Sequence, residues 1–592
     1  MTFLGADPEG RARLVFGMLL LSLGALVARA GYIQLVRGDE YADRARRTHF
    51  KELSIQAPRG RLLDRHGRPF AASYHALSLA ADPREVQDPA SFATHVAFLL
   101  GEPAAAPRLA ADIAAKKDQG KRFVYLAKRV DRQTAQRAHA TGLQGLFVRE
   151  EPRREHPHGR AAAALLGMVG ADEHGRITGL SGLERRFEAT LGGRDGSCSV
   201  LMSGRRESLH LFPECERPPR PGADVRTTLD LVIQQITEEA MDRLVEAHAP
   251  KSACAIVIDP RTGEVLAMAG RPGLDPAAFP DVSADQLRVP AVQSSYEPGS
   301  TIKPLIVARA LTRGAVKRGQ LIDCGPGHMR FGGRTLHDVK ANGTLALEDV
   351  LVKSSNIGMA QIGQAVGMDD MCAYLHELGF GRRTGIELEG EQEGKVTPRA
   401  KWHPNYTLVS VSMGHEVAVT PLQLVSAYAA LLNGGRVVRP TLVRRASAPA
   451  GRQLDLSPEA LAFVRRALER VVNDPEGTGR RARLDDVLVG GKTGTSEKYD
   501  GSGRYVSSFV GFAPVEDPRL LVLVVADEPR VRDGLRPDGG VVAAPIVGEI
   551  LRRSLPLIQT PALPESGVRH VFNNQTRQGK VRVAAVHRSS VW

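Results

Sequence analysis

Ser300 and Lys303 directly follow a Pro-Gly turn in the segment Tyr296-Glu-Pro-Gly-Ser300-Thr-Ile-Lys303-Pro304. Residues three apart share one face of a helix, so the two side chains can touch if a helix begins here. A serine hydroxyl is a poor nucleophile until a base takes its proton, and a desolvated neutral lysine can be that base. The helix N-terminus would add partial positive charge where an oxyanion forms. The spacing is therefore typical of nucleophilic serine chemistry.

This pair is weak evidence by itself, since S-x-x-K is expected about once by chance in a chain of this length. Ser300 could equally be a helix N-cap beside a solvated Lys303. Two later segments change the interpretation. Ser354-Ser355-Asn356 stands in a predicted loop or helix start, and Lys492-Thr493-Gly494-Thr495 stands at the end of an apolar strand. The motifs S-x-x-K, S-x-N and K-T-G, in this order, are the signature of penicillin-interacting serine acyltransferases.

The elements that must position these motifs are strands far apart in the chain. Residues 255–258 and 265–268 predict a hairpin across a Pro-Arg-Thr-Gly turn. Three more strands are predicted at 487–495, 505–513 and 520–526, with helices at 230–248 and 541–555 and a mostly helical segment between hairpin and late strands. Strands at both ends with helices between them predict one antiparallel sheet in an α+β domain.

Over nearly its whole length the sequence resembles the class B penicillin-binding proteins. Besides the three motifs, the resemblance rests on these runs: Arg59–Gly67, Gly182-Leu183-Glu184, Asp259–Gly263, and Val419–Gln423 ahead of Asn433-Gly-Gly435. It implies an N-terminal membrane anchor, an elongated non-catalytic pedestal and a C-terminal penicillin-binding serine acyltransferase domain. The expected divisions are a cytoplasmic N-terminus (1–13), a transmembrane anchor (14–36), a pedestal of the dimerisation type (45–220), a transpeptidase domain (221–560) and a basic tail (561–592).

The resemblance also implies a role for each motif residue in cross-linking peptidoglycan. Ser300 would attack the D-Ala–D-Ala carbonyl of a stem peptide and form an acyl-enzyme, which an acceptor amine resolves. A nearby Lys492 cation would lower the pKa of Lys303 from about 10.4 toward the working pH. The other implied roles are general base for Lys303, proton relay for Ser354 and substrate amide binding for Asn356. Lys492, Thr493 and Thr495 would bind the terminal carboxylate, the Ser300 and Thr495 backbone N–H groups would bind the oxyanion, and Gly494 would belong to the substrate-binding strand. No cofactor and no metal are implied.

Several related functions remain open alternatives. A class A β-lactamase needs a Glu-x-x-Leu-Asn carboxylate, but the only Leu-Asn pair is Leu432-Asn433 and the residue three before Leu432 is Ala429. A D,D-carboxypeptidase differs only in using water as acceptor, and a non-enzymatic wall-binding scaffold would keep the fold without the reaction. Residues 81–86, following Ala71-Ala72-Ser73, and the chain length resemble the septal, division-specific type more than the elongation type.

The N-terminal apolar segment predicts a single membrane anchor. Residues 14–28 carry no charge, and the apolar character resumes after Arg29 through Val36. A signal peptide cleaved after Ala30 and a core helix are the alternatives. Flanking arginines do not settle the orientation. Because peptidoglycan lies outside the cytoplasmic membrane, the large domain is expected outside.

Composition limits the remaining classes of function. The 592 residues have a net charge of +13, 42% hydrophobic residues and 5% aromatic residues. Long disorder, collagen and a multi-span membrane protein are therefore excluded, and no clustered basic module with stacking aromatics predicts nucleic-acid binding. Expected partners are stem peptides, β-lactams, the inner membrane and, as a hypothesis, a membrane glycosyltransferase and division proteins. Cys198 and Cys215 could pair in an exported chain or remain free thiols.

Overall fold

The computed structural model describes residues 8–41, 50–173, 176–201, 214–279, 281–445, 451–498, 501–531 and 536–559. Helix α1 (Pro8–Leu35) contains a stretch, Glu9–Leu35, that is long and apolar enough to cross a membrane. None of its apolar window is buried against the rest of the described chain, which argues against the core-helix interpretation and fits a membrane anchor. The predicted basic tail at 561–592 lies outside the described residues.

The region after the anchor is built from short strands and helices. The strands are β1 (Phe50–Ile55), β2 (Leu62–Leu63), β3 (Pro69–Ala81), β4 (Val124–Val130), β5 (Leu146–Glu155), β6 (Val169–Ala171), β7 (Ile177–Gly179), β8 (Gly196–Leu201) and β9 (Glu214–Arg217). The helices are α2 (Pro89–Leu100), α3 (Ala106–Asp118), α4 (Arg132–Ala140), α5 (Ala163–Leu166), α6 (Gly182–Arg186) and α7 (Glu188–Leu191). Strands β1, β8 and β9 form one sheet, and β3 pairs with β2, β4 and β5 in another.

The two N-terminal sequence runs noted above meet in a buried ion-pair cluster. The Arg59 guanidinium lies 2.6 Å from a Glu184 carboxylate oxygen and 2.7 Å from Glu188. Arg154 contacts the other Glu184 oxygen at 2.7 Å, and the Glu184 side chain is fully buried. Breaking a buried pair leaves an uncompensated charge, so this cluster stabilises the fold of the N-terminal region.

The region after β9 contains the strands β10 (Val225–Arg226), β11 (Ser252–Ile258), β12 (Val265–Arg271), β13 (Leu321–Asp323), β14 (His328–Phe331), β15 (Arg334–His337), β16 (Thr344–Ala346), β17 (Lys395–Val396), β18 (Val417–Ala418), β19 (Arg436–Val437), β20 (Arg452–Gln453), β21 (Gly490–Glu497), β22 (Tyr505–Ala513) and β23 (Leu520–Asp527). Its helices are α8 (Leu231–His248), α9 (Ala284–Leu287), α10 (Pro290–Gln293), α11 (Lys303–Thr312), α12 (Leu347–Val352), α13 (Asn356–Val366), α14 (Met368–Glu377), α15 (Thr407–Ser412), α16 (Pro421–Leu432), α17 (Pro458–Asn473), α18 (Gly539–Val542) and α19 (Ala544–Gln559).

The predicted antiparallel sheet is confirmed, with strand order β12-β11-β23-β22-β21. Side chains alternate between its faces, as the two-residue period of a strand requires. Val522 and Val524 of β23 pack on the face covered by α8 and α19. Leu521 and Leu523 pack on the opposite face, against helices α11 to α17, which we call the helical lobe. Strand β21 lies at one edge of this sheet, so its outer backbone edge has no neighbouring strand in the sheet.

Two details differ from the sequence prediction. The final helix, expected at 541–555, is split at Ala543 into α18 and α19, and Gly539 N at the start of α18 donates to Thr495 Oγ1 of β21. The segment expected to be mostly helical also contains four two-stranded sheets. The Val419–Gln423 run is a capping box, in which Thr420 and Gln423 bond each other's backbone N–H at the start of α16.

Three of the five cysteines are buried free thiols, namely Cys254, Cys324 and Cys372. The side chains of Cys198 and Cys215 lie outside the described part of the structure.

Candidate active site

Ser300 lies in a tight turn that leads directly into α11. Residues 299–302 form a 3₁₀ turn, and Gly299 takes a left-handed φ of 55°. A Cβ on Gly299 would lie 2.6 Å from Ser496 Oγ, so a side chain does not fit there. The turn is held from the other side because Tyr428 OH donates to Thr301 O at 2.5 Å. The predicted helix start after Pro298-Gly299 is therefore confirmed, with Ser300 half-buried at the edge of a cleft.

The Lys303 ammonium is fully buried and reaches the S-x-N segment. Its Nζ donates to Ser354 O and to Asn356 Oδ1, both at 2.8 Å, and lies 3.4 Å from Ser354 Oγ. Within the described residues, no hydrogen bond to the Ser300 hydroxyl is present. Instead of the expected Ser300–Lys303 contact, Lys303 forms hydrogen bonds with the second motif.

The Ser354 hydroxyl lies between two amines. Lys492 Nζ, at the start of β21, donates to Ser354 Oγ at 2.8 Å, opposite the longer contact from Lys303. Ser354 itself has a left-handed φ of 56°, a conformation that costs a non-glycine residue free energy and persists only where the surroundings enforce it. The strain places one hydroxyl within reach of both lysines.

Burial, rather than a neighbouring cation, is the main reason that the Lys303 pKa is low. Desolvation lowers the pKa of Lys303 to about 7, while the Asp338 carboxylate opposes this shift. Burial and then the Lys303 charge lower the pKa of Lys492 well below its ordinary value. The expectation that Lys492 lowers the Lys303 pKa was therefore wrong in its cause. The paired amines disfavour two positive charges at once.

The K-T-G residues complete the wall of the cleft. Thr493 Oγ1 donates to Thr478 Oγ1 at 3.2 Å, and Thr495 Oγ1 accepts from Gly539 N at 3.1 Å. Gly494 cannot carry a side chain, since a Cβ would lie 2.4 Å from Ser508 Oγ. A cleft of about 1140 Å³ is lined by residues of all three motifs, namely Ser300, Ser354, Asn356, Thr493 and Thr495. The structure therefore brings the predicted segments together.

Comparison with known proteins shows the family. The chain matches the family described as the penicillin binding protein transpeptidase domain over residues 253–552, and the penicillin-binding protein dimerisation domain over residues 54–227.

The chain belongs to the class B penicillin-binding proteins.

Individual relatives match over most of their length. The Stage V sporulation protein D of Bacillus subtilis is 33% identical, with 92% of this chain and 86% of the relative covered. The probable peptidoglycan D,D-transpeptidase PbpC of Pseudomonas aeruginosa is 32% identical, covering 93% of this chain and 95% of the relative. The crystal structure of Penicillin Binding Protein 2X from Streptococcus thermophilus has the same fold, with a TM-score of 0.72, 22% identity, and coverage of 86% and 80% of the two chains.

Asp338 is the first of two site residues of this penicillin-binding protein that could not be found from the sequence. One carboxylate oxygen accepts from Asn356 N at 2.5 Å and Ile357 N at 3.1 Å. The other accepts from Ser355 Oγ at 2.5 Å and Asn342 Nδ2 at 2.9 Å. Asp338 thus fixes the start of α13, and with it the S-x-N motif. Its position in a polar loop after β15 gives no motif signal, because such an aspartate is usually a turn residue.

A second missed residue, Glu297, braces the turn before Ser300. Its carboxylate lies 2.9 Å from His415 Nδ1 and accepts from Glu416 N at 2.9 Å. Its backbone carbonyl accepts from Ser496 Oγ at 2.8 Å. These bonds join the turn of the first motif to the segment before β18 and to the end of β21.

Proposed function

We propose that this penicillin-binding protein is a peptidoglycan D,D-transpeptidase that works through a Ser300 acyl-enzyme. The observation that carries the proposal is the Ser354 hydroxyl, which lies in hydrogen-bonding range of both Lys303 and Lys492 beside the Ser300 turn. This arrangement joins a nucleophile, a base of suitable pKa and a route for a proton in one cleft.

In the first half-reaction, Ser300 Oγ attacks the carbonyl carbon between the two terminal D-alanines. Its proton passes to the neutral Lys303 amine, whose pKa of about 7 leaves a large unprotonated fraction at neutral pH. The C–N bond then breaks, and Ser354 relays the proton to the nitrogen of the departing D-alanine. The C–O ester to Ser300 remains.

The K-T-G strand suits the binding of the donor peptide. Because β21 is an edge strand, an extended peptide can pair with its free backbone edge. The terminal carboxylate would accept hydrogen bonds from the Thr493 and Thr495 hydroxyls and from the Lys492 amine. The oxyanion would accept hydrogen bonds from the backbone N–H groups of Ser300 and Thr495. The Asn356 side chain suits the substrate amide. A β-lactam would acylate Ser300 by the same route.

In the second half-reaction, an amine of a neighbouring peptide resolves the ester and closes a cross-link. A D,D-carboxypeptidase would use water at the same step, so the cleft alone does not separate the two. The support for amine transfer is the name of relatives such as the Pseudomonas aeruginosa D,D-transpeptidase, together with the match to the dimerisation domain.

The cellular setting follows from the substrate and the sequence. We place α1 in the cytoplasmic membrane and the large domains outside it, where peptidoglycan lies. Residues 81–86 support a septal role, with an elongation role as the alternative. A membrane glycosyltransferase and division proteins are the proposed partners. A fluorescent fusion should gather at the division site, whereas uniform labelling of the lateral wall would favour the elongation role.

The full chain in detergent tests the proposed reaction with a pentapeptide ending in D-Ala-D-Ala and a labelled amine acceptor. We expect released D-alanine together with labelled cross-linked product, both lost in Ser300→Ala and kept in the exposed control Ser91→Ala. D-Alanine without cross-linked product would identify a carboxypeptidase. Neither product from the wild type would favour a non-enzymatic scaffold.

A further inference from the structure

One rim of the active-site cleft carries positive charge that the reaction described above does not use. Lys340, Arg480, Arg481 and Arg483 line the same cleft as Ser300, and all four side chains are exposed. Among the described residues, none of them forms an ion pair. We call these four residues the basic rim.

The basic rim is held in place by the buried residues between its members. Ala482 is fully buried, and Leu484 is only 9% exposed, in the core behind the sheet. The flanking Arg481 and Arg483 therefore face outward from an anchored segment. Lys340 lies two residues after Asp338, in a loop that the Asn342–Asp338 bond of 2.9 Å closes.

The acidic residues of the cleft have partners other than this rim. Asp338 is occupied by four hydrogen-bond donors, and Glu476 pairs with Lys353 at 3.1 Å. Asp538 lies 3.5 Å from Arg536, and Glu497 accepts from Tyr505 OH at 3.4 Å. The cleft lining nevertheless has six basic side chains, namely Lys340, Lys353, Arg480, Arg481, Arg483 and Arg536, against these four carboxylates, so a net positive charge remains and attracts anions.

The rim lies next to the place where the leaving D-alanine is bound. Thr478, which bonds Thr493 of the proposed carboxylate site, belongs to the same loop as the three rim arginines. Once D-alanine departs, the acceptor amine must enter the vacated space to reach the ester carbon. An acceptor that enters there passes the basic rim.

We propose that the basic rim binds a carboxylate of the acceptor and thereby selects an anionic amine over a neutral amine and over water. The inference rests on the proposed acyl-enzyme. In the step concerned, the acceptor nitrogen forms a C–N bond to the acyl carbon, and the C–Oγ bond to Ser300 breaks. The proton lost from nitrogen passes through Ser354 and Lys303 to Ser300 Oγ, which restores the hydroxyl. The rim contributes binding and orientation to this step and exchanges no proton.

A partition experiment tests this selection. The full chain in detergent is acylated with an N-acyl-D-alanyl thioester, and the ratio of aminolysis to hydrolysis is measured with D-alanine or D-alaninamide as acceptor. In Arg481→Gln/Arg483→Gln the ratio with D-alanine should fall about three- to tenfold, the size that a few solvent-exposed charge interactions give together. The ratio with D-alaninamide should change less than about twofold, because this acceptor has no carboxylate for the basic rim to bind. Added salt should weaken the wild-type preference for D-alanine.

The matched control is Lys317→Gln/Arg318→Gln, which removes the same charge from an exposed turn outside the cleft lining. It should keep the wild-type preference. An unchanged preference in the rim variant, or an equal loss with both acceptors, would overturn the inference. Both results require an acyl-enzyme to form, whereas failure to acylate the wild-type chain would count against the proposed function itself.

Discussion

The Asp338→Asn substitution removes one charge and one acceptor from the loop that holds the S-x-N motif. An asparagine can still accept from the Asn356 and Ile357 backbone through one oxygen. Its amide group would then face the Ser355 hydroxyl and the Asn342 amide, where the carboxylate now accepts two hydrogen bonds. At least one buried donor loses its partner.

The expected size of the effect follows from that lost partner. Leaving a buried donor unsatisfied costs about 1–3 kcal/mol. If this cost falls on the loop that positions Ser354 and Asn356, acylation slows by about 5- to 150-fold, since each 1.36 kcal/mol is a factor of ten. The charge has a second effect: Asp338 raises the Lys303 pKa, so its removal lowers that pKa further. The acid limb of the rate profile should therefore move to lower pH.

The assay is the second-order rate constant for acylation by a fluorescent penicillin, measured across pH 5–9. Asp323→Asn is the matched control, because the Asp323 side chain is exposed and, among the described residues, its carboxylate accepts one turn hydrogen bond, from Gly325 N. The reasoning is refuted if Asp338→Asn keeps the wild-type rate and acid limb while Tm is unchanged. A lower Tm with normal rate and pH profile would show that Asp338 stabilises the fold without positioning the site.

Three further predictions follow from the same geometry. In the wild type, acylation should decline as pH falls through about 7, because Lys303 must be neutral to accept the proton; a rate independent of pH between 5 and 9 would contradict its role as base. Gly299→Ala should slow acylation at least tenfold, because a φ of 55° strains an alanine and its Cβ would lie 2.6 Å from Ser496 Oγ. Gly501→Ala, at an open turn, should keep the rate. Glu184→Gln should lower the free energy of unfolding by about 3–5 kcal/mol, because it removes the carboxylate that pairs with buried Arg154 and leaves buried Arg59 with Glu188 alone. Thermal unfolding measures that loss, and the exposed variant Glu246→Gln should keep the wild-type Tm.

Motif order predicted the convergence of the site, because S-x-x-K, S-x-N and K-T-G each carry a local signal at the end of a recognisable element. The strands were predictable for a similar reason, since β23 is apolar from Leu520 to Ala526 and β22 is mostly apolar. Asp338 was not predictable, because its role depends on how the β14–β15 hairpin folds back on α13. The left-handed φ of Ser354 could not be predicted either, because the two lysines that contact this residue lie 51 and 138 residues away in sequence.

The cause of the low Lys303 pKa also needed the structure. The motif order places Lys492 in the same site as Lys303. From the sequence alone, repulsion between the two cations is therefore the expected cause of a low Lys303 pKa. How deeply each amine is buried depends on the packing of α11, α13 and β21 together. The four small sheets of the helical lobe escaped prediction because their strands are too short to show a two-residue period.

The intact mass of the full chain after treatment with benzylpenicillin tests the central claim most directly. The account predicts one covalent penicilloyl adduct on the wild type, mapped to Ser300 by peptide mass, and none on Ser300→Ala. An adduct that persists on Ser300→Ala, or a folded wild-type chain that takes up none, would contradict it.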